Sequence, residues 1–550
     1  MKRIPSLAVC LLVATALFAV SPPTQPAVLP APVPTIDIEA PAVLPAPVVT
    51  IFKKSTLETL ALDWIVKRDL MQHIRFHDTD TPPPLEPGGD LMSSQWNGQV
   101  STRLYGRPQT NTSITSTGQA SNDAHQELEP AVITNRYSGV DRSTYVYMRY
   151  PNPNTLIPTL WWTTTTDWST FTTPSQLPLP MGHSRAGDPI LSENPYISLG
   201  QFPKRVYCSG ISYGVDGSGN YTGGSVNYWY NDNPGTNAWT LTQVDTVGST
   251  QFLDKPSNWT SWHSGTLGYV YMAAVLVPLS GGNNTLYVYR KTTTNAFTRV
   301  NTSITGASIS SPIVTVDAAT GDVYLLWVNW NNHTISVARS TDQASTFGTA
   351  VAFTAGPTNE RLLSAGSSIC DSGAGNCVRG ASVIMARPNA ADNSIGVVWH
   401  RRELNGNNTD VFFNRFDLST QTWGTAVRVN TSTAGDQFNP ALDPDVNGDY
   451  MVTFYNKSDD ANDRLYRTYC RKITASGGAG DASNTLVLMS ARGSDPGQLT
   501  VDASNGLRYM GEYQDIWEWL GTWYAVTLYV PDPNNGGSGQ ADIYAPRISP

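Results

Sequence analysis

The chain has 550 residues and a mass of 59.7 kDa, enough for several domains at one per ~150 residues, or for one large closed β unit. It carries 35 Lys and Arg against 44 Asp and Glu, a net charge of −9, which excludes the basic field expected of a nucleic-acid binder. Only 14% of residues are charged while 40% are hydrophobic, with 16 Trp and 25 Tyr; a chain of that make-up fills a core and is not disordered throughout.

At the amino terminus Lys2 and Arg3 precede an apolar run from Leu7 to Val20 that stops at Ser21-Pro22-Pro23. That is the form of a secretory signal peptide, assigned to residues 1–21, and the run falls short of the ~20 apolar residues of a membrane span. The expected location is therefore secreted, outside the cytoplasm, with no transmembrane segment. Residues 22–50 repeat the phrase Ala-Val-Leu-Pro-Ala-Pro-Val, and proline this dense favours a stiff, extended linker. Residues 51–94 form a helical or irregular segment, with Leu57, Leu60, Leu62, Ile65, Leu70 and Ile74 at helical spacing. Residues 95–550 are assigned to the main domain.

Four cysteines follow the signal region. Cys370 and Cys377 enclose a Gly-containing hexapeptide and are the best local disulfide pair of an exported chain. Cys208 and Cys470 either pair by elimination or stay as buried thiols.

Repetition is the most informative feature of the main domain. Aromatic-rich strands occur in pairs: Tyr145 with Leu160, Val206 with Ser225, Tyr269 with Thr285, Val323 with Thr334, Ile395 with Asp410, Tyr450 with Arg464, and Trp523 with Ala541 open the two members of each. Most units start at a proline or small residue before an apolar strand, as at Pro130, Pro189, Pro256, Pro312 and Pro440, giving a period of about 60 residues. That length holds three or four strands of ~5–6 residues with their turns. Separate sheets would leave exposed edges, whereas radial repetition protects them, so the pattern predicts a β-propeller. Seven units predict seven blades, with six as the alternative. The last unit lacks an outermost strand, and Gln99–Gly106 is the candidate to close the ring.

The segment Ser340-Thr-Asp342-Gln-Ala-Ser-Thr-Phe347 resembles the Asp box, S-x-D-x-G-x-T-W/F, of sialidase-like β-propellers, with Ala344 where glycine is usual. Thr165–Phe171 and Phe416–Trp423, the latter with Asp417 and Trp423 in the key places, look like eroded copies, and Asn231–Trp239 like a more distant one. The resemblance covers roughly residues 125–550. It implies that the aspartate ties a tight turn and that the aromatic plugs between neighbouring sheets.

Sialidases hold a substrate carboxylate with three arginines, because a guanidinium fork matches a carboxylate, and they use a Tyr–Glu nucleophile pair with an acidic aspartate. The family's opening F/Y-R-I-P motif is missing; Arg547 lies between Pro546 and Ile548 in the wrong order. Arg290, Arg339, Arg415, Arg471 and Arg547 recur at strand ends and read as structural. Arg136, Arg185, Arg205, Arg361, Arg379 and Arg401 fall outside that register. The catalytic candidates are Arg136, Arg379, Glu512 and Tyr513, set against packed aromatic surroundings at Trp517, Trp519 and Trp523. The metal candidates are Asp443, Asp445, Asn447 and Asp449, which imitate a calcium loop, although Phe454 stands where a bidentate glutamate belongs. Calcium is thus the single cofactor considered.

These features lead to an exported propeller that binds an extracellular glycan or other polymer on one face of its ring, acts as a monomer and leans towards binding rather than catalysis. The alternatives are a sialidase-type glycoside hydrolase and a cell-surface protein-interaction scaffold. Fold alone does not choose among them.

Overall fold

The computed structural model describes residues 113–549 apart from 120–125, 138–139, 151–156, 194–204, 237, 293–295, 357–359, 371–376, 404–407, 461–463, 475–486, 489–492, 500, 503–506 and 531–540. The expected signal, linker, helix and closing strand at 99–106 lie outside the described residues.

The chain is all-β, with mainly four-stranded antiparallel sheets formed by consecutive strands. Sheet I contains Gln126–Tyr137, Val140–Tyr150, Thr159–Thr165 and Ser175–Gln176. Sheet II contains Arg185–Glu193, Val206–Val215, Tyr221–Asn231 and Thr240–Gly248. Sheet III contains Gln251–Thr260, Val270–Pro278, Asn284–Lys291 and Phe297–Gly306. Sheet IV contains Ile309–Val316, Val323–Asn329, Thr334–Ser340 and Val351–Thr354. Sheet V is built on Met385–Asn389, Ser394–Glu403 and Thr409–Asp417, with Thr422–Trp423 and Val427–Arg428 on its outer edge. Sheet VI contains Gln437–Pro444, Tyr450–Asn456, Arg467–Ile473 and Val487–Leu488. Sheet VII joins Asp515–Trp519, Thr522–Tyr529 and Asp542–Ser549 to the early strand Ser113–Gln119.

That last pairing, Ser113 opposite Ser549 and Gln119 opposite Tyr544, ties the two ends of the domain together, which protects what would otherwise be an open edge. The first strand of each sheet packs beside the first strand of the next, and that of sheet VII returns to that of sheet I. Apolar cores lie between neighbours. Tyr228 and Met272 join sheets II and III, Val288 and Leu325 join III and IV, Leu326 and Trp399 join IV and V, and Phe413 and Tyr450 join V and VI. Both faces of each sheet are therefore buried, which explains strands that read as continuous apolar runs rather than alternating ones.

The Asp-box turns sit on the outer edges as the resemblance implies. Asp342 accepts hydrogen bonds from the Ser340 hydroxyl at 2.7 Å, the Thr346 amide at 2.9 Å and the Thr346 hydroxyl at 2.7 Å. Asp167 and Asp417 accept backbone amides in the same manner, from Ser169 and Thr170 and from Ser419 and Thr420. Ala344 is buried with φ +63°, the left-handed backbone that explains why glycine is usual at this position. Trp423 stands 4.5 Å from the Phe353 ring of sheet IV and 5.1 Å from Phe416 of its own sheet, so it plugs the seam. Phe347 packs on the core shared by sheets III and IV.

A small accessory sheet joins Ser368–Cys370, Cys377–Arg379, Leu507–Arg508 and Val501–Asp502. Cys370 and Cys377 face each other in its hairpin and form a disulfide, while Cys208 and Cys470 are free and buried. Of the two options open for Cys208 and Cys470, the structure has the buried thiols. Among the described residues no helix is long and apolar enough to cross a membrane.

Candidate active site on the ring axis

The prolines that open the units mark a shared irregularity. In five sheets the first strand breaks its ladder at the same level, between Leu128 and Ala131, Gly187 and Ile190, Asp254 and Ser257, Ser310 and Ile313, and Phe438 and Ala441. Proline has no amide hydrogen to give the ladder, so a bulge is where it fits. The residue before each proline is left-handed: Glu129 at φ 49°, Asp188 at 54°, Lys255 at 47°, Ser311 at 48° and Asn439 at 47°. Such a backbone costs of order 1–3 kcal/mol for a residue with a Cβ, and the packed strands on either side maintain it. Three of the five, Glu129, Asp188 and Lys255, meet at one cavity.

Lys255 is the hub. Its Nζ lies 2.7 Å from Glu512 Oε2, 2.9 Å from Asp188 Oδ1 and 3.8 Å from Glu129 Oε1, with the side chain only 9% exposed. Arg379, delivered by the disulfide-closed hairpin, reaches the other oxygen of Glu512 at 2.6 Å and lies over the Tyr509 ring. The Tyr509 hydroxyl donates to Glu129 Oε1, which also accepts the Glu512 amide at 3.3 Å. This approach requires Gly511, with φ +83°, because a Cβ there would stand 2.6 Å from the Glu129 side chain.

Burial and charge divide the carboxyls into two kinds. Burial pushes Glu129 up to about 8 despite Lys255, and it pushes Asp254 up to about 7, helped by the negative Asp188. Asp188 is just as buried, but its direct contact with Lys255 outweighs burial and holds it at about 2. Glu512 is also held below its ordinary value, because Lys255 and Arg379 together overcome its burial. Glu129 and Asp254 are close enough to Asp188 to share their protons with it. At neutral to mildly acidic pH, proton donors and a carboxylate thus coexist in one place, which is the arrangement that separates acid from base among like side chains.

The cavity encloses about 410 Å³ and is lined by Glu129, Asp188, Asp254, Lys255, Arg379 and Tyr509. Its apolar wall comes from Tyr150, Tyr213 and Phe252. Phe252 meets the edges of Tyr213 and Tyr221 at 5.7 and 5.6 Å, a rigid aromatic corner suited to the C–H face of a sugar.

The structure brings two of the four sequence-stated catalytic residues, Arg379 and Glu512, into this site. Tyr513 is buried beneath it, its hydroxyl donating to the Pro189 carbonyl at 3.2 Å and its ring facing Lys255, because neighbouring residues of an extended chain point opposite ways. Arg136 lies near the far end of its strand, paired in register with Asp141. Among the described residues no arginine triad forms at the cavity: Arg185 and Arg379 line it, and Arg379 is bound to Glu512. Arg205 pairs with Asp232, Arg401 with Glu360, and Arg402 bonds the Ser368 carbonyl. The strand-end arginines are structural, as in Arg339 with Asp322, Arg415 with Asp392 and Arg471 on the Val429 carbonyl.

The metal candidates separate. Asp445 caps its own turn through the Asn447 and Asp449 amides, Lys472 sits 2.6 Å from Asp449, and Asp443 turns instead to Arg387 and the Glu518 amide. Among the described residues no group of three or more acidic, His or Cys side chains is arranged for a metal.

Lys255, Glu129, Asp188, Asp254 and Tyr509 escape the sequence reading. The periodic prolines carry the available signal, since the residue before three of them, Glu129, Asp188 and Lys255, lines the cavity.

No family model matches the chain and no curated protein matches it. Solved structures resemble it at the level of fold. One is a protein of unknown function from Dyadobacter fermentans, at TM-score 0.42 and 10% identity over 80% of this chain and 99% of that one. Another is an α-L-arabinofuranosidase from Fusarium graminearum, at TM-score 0.39 and 11% identity over 79% and 97%. A third is the sialidase of Trypanosoma rangeli, at TM-score 0.36 and 9% identity over 80% of this chain and 59% of that one. The structural neighbours are thus sialidase and arabinofuranosidase propellers together with a protein of unassigned role.

Proposed function

We propose that the protein is an exported, seven-bladed propeller that hydrolyses a glycosidic bond of a neutral glycan in the axial cavity. The observation that carries this reading is that Glu129, Asp254 and Asp188 line one cavity about Lys255, where burial raises the first two and direct contact with Lys255 holds the third low. Asp254, half-buried where Glu129 and Asp188 are fully buried, gives its proton to the leaving oxygen as the glycosidic bond breaks. Water adds to the anomeric carbon and releases its proton to the Asp188–Asp254 pair, which thereby regains the proton that Asp254 gave.

A neutral substrate is favoured because Lys255 and Arg379 are already bound to carboxylates. A sugar acid would find Arg185 rather than three free guanidiniums. The test is release of reducing sugar or aryl alcohol from a panel of neutral aryl glycosides and arabinan, with an aryl sialoside for comparison. Turnover of a neutral substrate that Asp254→Asn abolishes supports the reading. Turnover restricted to the sialoside, or retained in the variant, contradicts it.

The second reading, glycan binding without cleavage, is favoured by the aromatic corner of Tyr213, Tyr221 and Phe252. Saturable binding of a neutral oligosaccharide that is recovered intact would select it.

A further inference from the structure

The first strands of the sheets run alongside one another, and the axial cavity occupies one level of them. Asp188 and Glu193, Lys255 and Trp259, and Glu512 and Trp517 are separated by four or five residues on the same stretches of chain. At ~3.3 Å per residue the second member of each pair lies ~13–17 Å further along the axis. Between the two levels Arg387 bridges Asp515 at 3.0 Å and Asp443 at 3.4 Å, a polar plug across the ring.

Beyond that plug is a second pocket of about 100 Å³, walled by Trp259, Trp262, Trp517 and Trp519. Two buried donors in its lining have no hydrogen-bond partner among the described residues. One is the indole Nε1 of Trp517, which is 9% exposed, whereas Nε1 of Trp519 gives its hydrogen to Asp141 at 3.2 Å. The other is Nδ2 of Asn389, which is 1% exposed; its Oδ1 accepts the Ala391 amide at 3.0 Å, and that bond fixes which end of the side chain carries the hydrogens. An indole N–H and an amide NH₂ can only donate, so both call for an oxygen acceptor that the chain does not supply.

The surrounding charge selects the kind of acceptor. The lining carboxyls are engaged within the chain: Asp443 with Arg387 and the Glu518 amide, Asp317 with the Ala319 amide and the Thr320 hydroxyl, and Glu518 with the Gly521 amide. Glu193 is likewise engaged. They therefore demand no cation, yet their field opposes an anion, and no lysine or arginine is among the described lining residues to offset it. The acceptor is then a neutral oxygen. A carboxylate oxygen that accepts one bond keeps a lone pair for another, which a hydroxyl can use and a carbonyl cannot. Indole walls suit a ring with an apolar C–H face. Hydroxyls on a ring with an apolar face describe a sugar.

We infer that this second mouth binds a neutral sugar residue, separately from the axial cavity and whether or not that cavity cleaves glycosidic bonds. A space of about 100 Å³ takes one edge of a single residue, with the rest of the glycan outside it.

Tryptophan fluorescence reports this mouth rather than the axial cavity, whose described lining holds no tryptophan. The test is titration of the full chain with methyl β-D-glucopyranoside, methyl β-D-galactopyranoside and methyl α-L-arabinofuranoside. The comparison ligands are methyl β-D-glucuronide as the anion, cyclohexanol as a ring with one hydroxyl, and hexaproline, whose internal carbonyls accept without donating. At least one neutral glycoside should give a saturable change, tenfold or more tighter than cyclohexanol and the glucuronide. Trp517→Phe, which keeps a ring and removes the donor, should weaken that binding at least fivefold, and Trp262→Leu, at a half-buried position, several-fold. Turnover measured on the same samples reads the axial cavity, so failure of one site is distinguished from failure of the other. No saturable change with any of the three glycosides, equal or tighter binding of cyclohexanol or the glucuronide, saturation by hexaproline alone, or native affinity in both variants would overturn the assignment.

Discussion

Replacing Lys255 with methionine probes the axial network most directly. The change keeps the length of the side chain and removes the charge that lies 2.7 Å from Glu512 and 2.9 Å from Asp188. With an effective dielectric of ~20 each contact is worth about 6 kcal/mol of attraction before desolvation. Burying the ammonium offsets much of that, so the net loss expected at pH 7 is about 3–5 kcal/mol, the usual result of stranding a buried charge. The loss should depend on pH in a stated direction. In the native protein Asp188 lies at about 2, below the ordinary 3.8, so its contribution is present above pH ~4 and fades as pH falls towards 2. Without Lys255 burial dominates, the aspartate is pushed above its ordinary value, and keeping it ionised becomes a penalty that grows as pH rises. Urea unfolding followed by tryptophan fluorescence at pH 5 and pH 7 measures both effects, and Lys255→Arg controls for volume and charge. A loss below ~1 kcal/mol at pH 7, or one no larger at pH 7 than at pH 5, would refute the account of Lys255 as the hub.

Other outcomes are open to direct measurement. Asp254→Asn and Glu129→Gln should lower turnover by about 10²–10⁴, and in the native protein turnover should fall as pH rises through about 7, where Asp254 loses its proton; a steady-state pH profile checks this. Gly511→Ala places a Cβ 2.6 Å from Glu129 at φ +83° and should cost about 1–3 kcal/mol in denaturant unfolding. Reduction of Cys370–Cys377 should release the hairpin that carries Arg379, weakening substrate affinity with little change in thermal midpoint, read by activity and calorimetry on the same sample. Cys208 and Cys470 are buried, and burial holds the Cys470 thiol at about 12. A thiol reagent should therefore find neither until the protein is unfolded.

Much of the architecture was legible in the chain because it is repeated. Tyr145-Val-Tyr, Val323-Tyr-Leu and Tyr450-Met-Val each form the strand next to the innermost one, as their spacing predicted. Asp342, Asp417 and Trp423 take the turn and seam places that the Asp-box resemblance implies. The closing of the final sheet by an early strand was also foreseeable, but the strand that does so among the described residues is Ser113–Gln119, a Ser- and Thr-rich stretch with no apolar pattern to announce it. The site was less legible. Arg379 stood out because it falls outside the strand-end register and Glu512 because it adjoins Tyr513, while nothing local to Lys255 marks it as a hub.

The amino-acid order by itself determined the local events: where strands start, which turns an aspartate ties, and where a proline forbids a ladder hydrogen bond. Those events depend on residues a few positions apart. Which side chains meet at the axis was decided only by ring closure, which brings Glu129 to Tyr509 across 380 positions. The same closure buries Asp188 and Glu129 alike yet gives only one of them a close lysine, so two carboxyls of nearly equal intrinsic acidity acquire opposite protonation states.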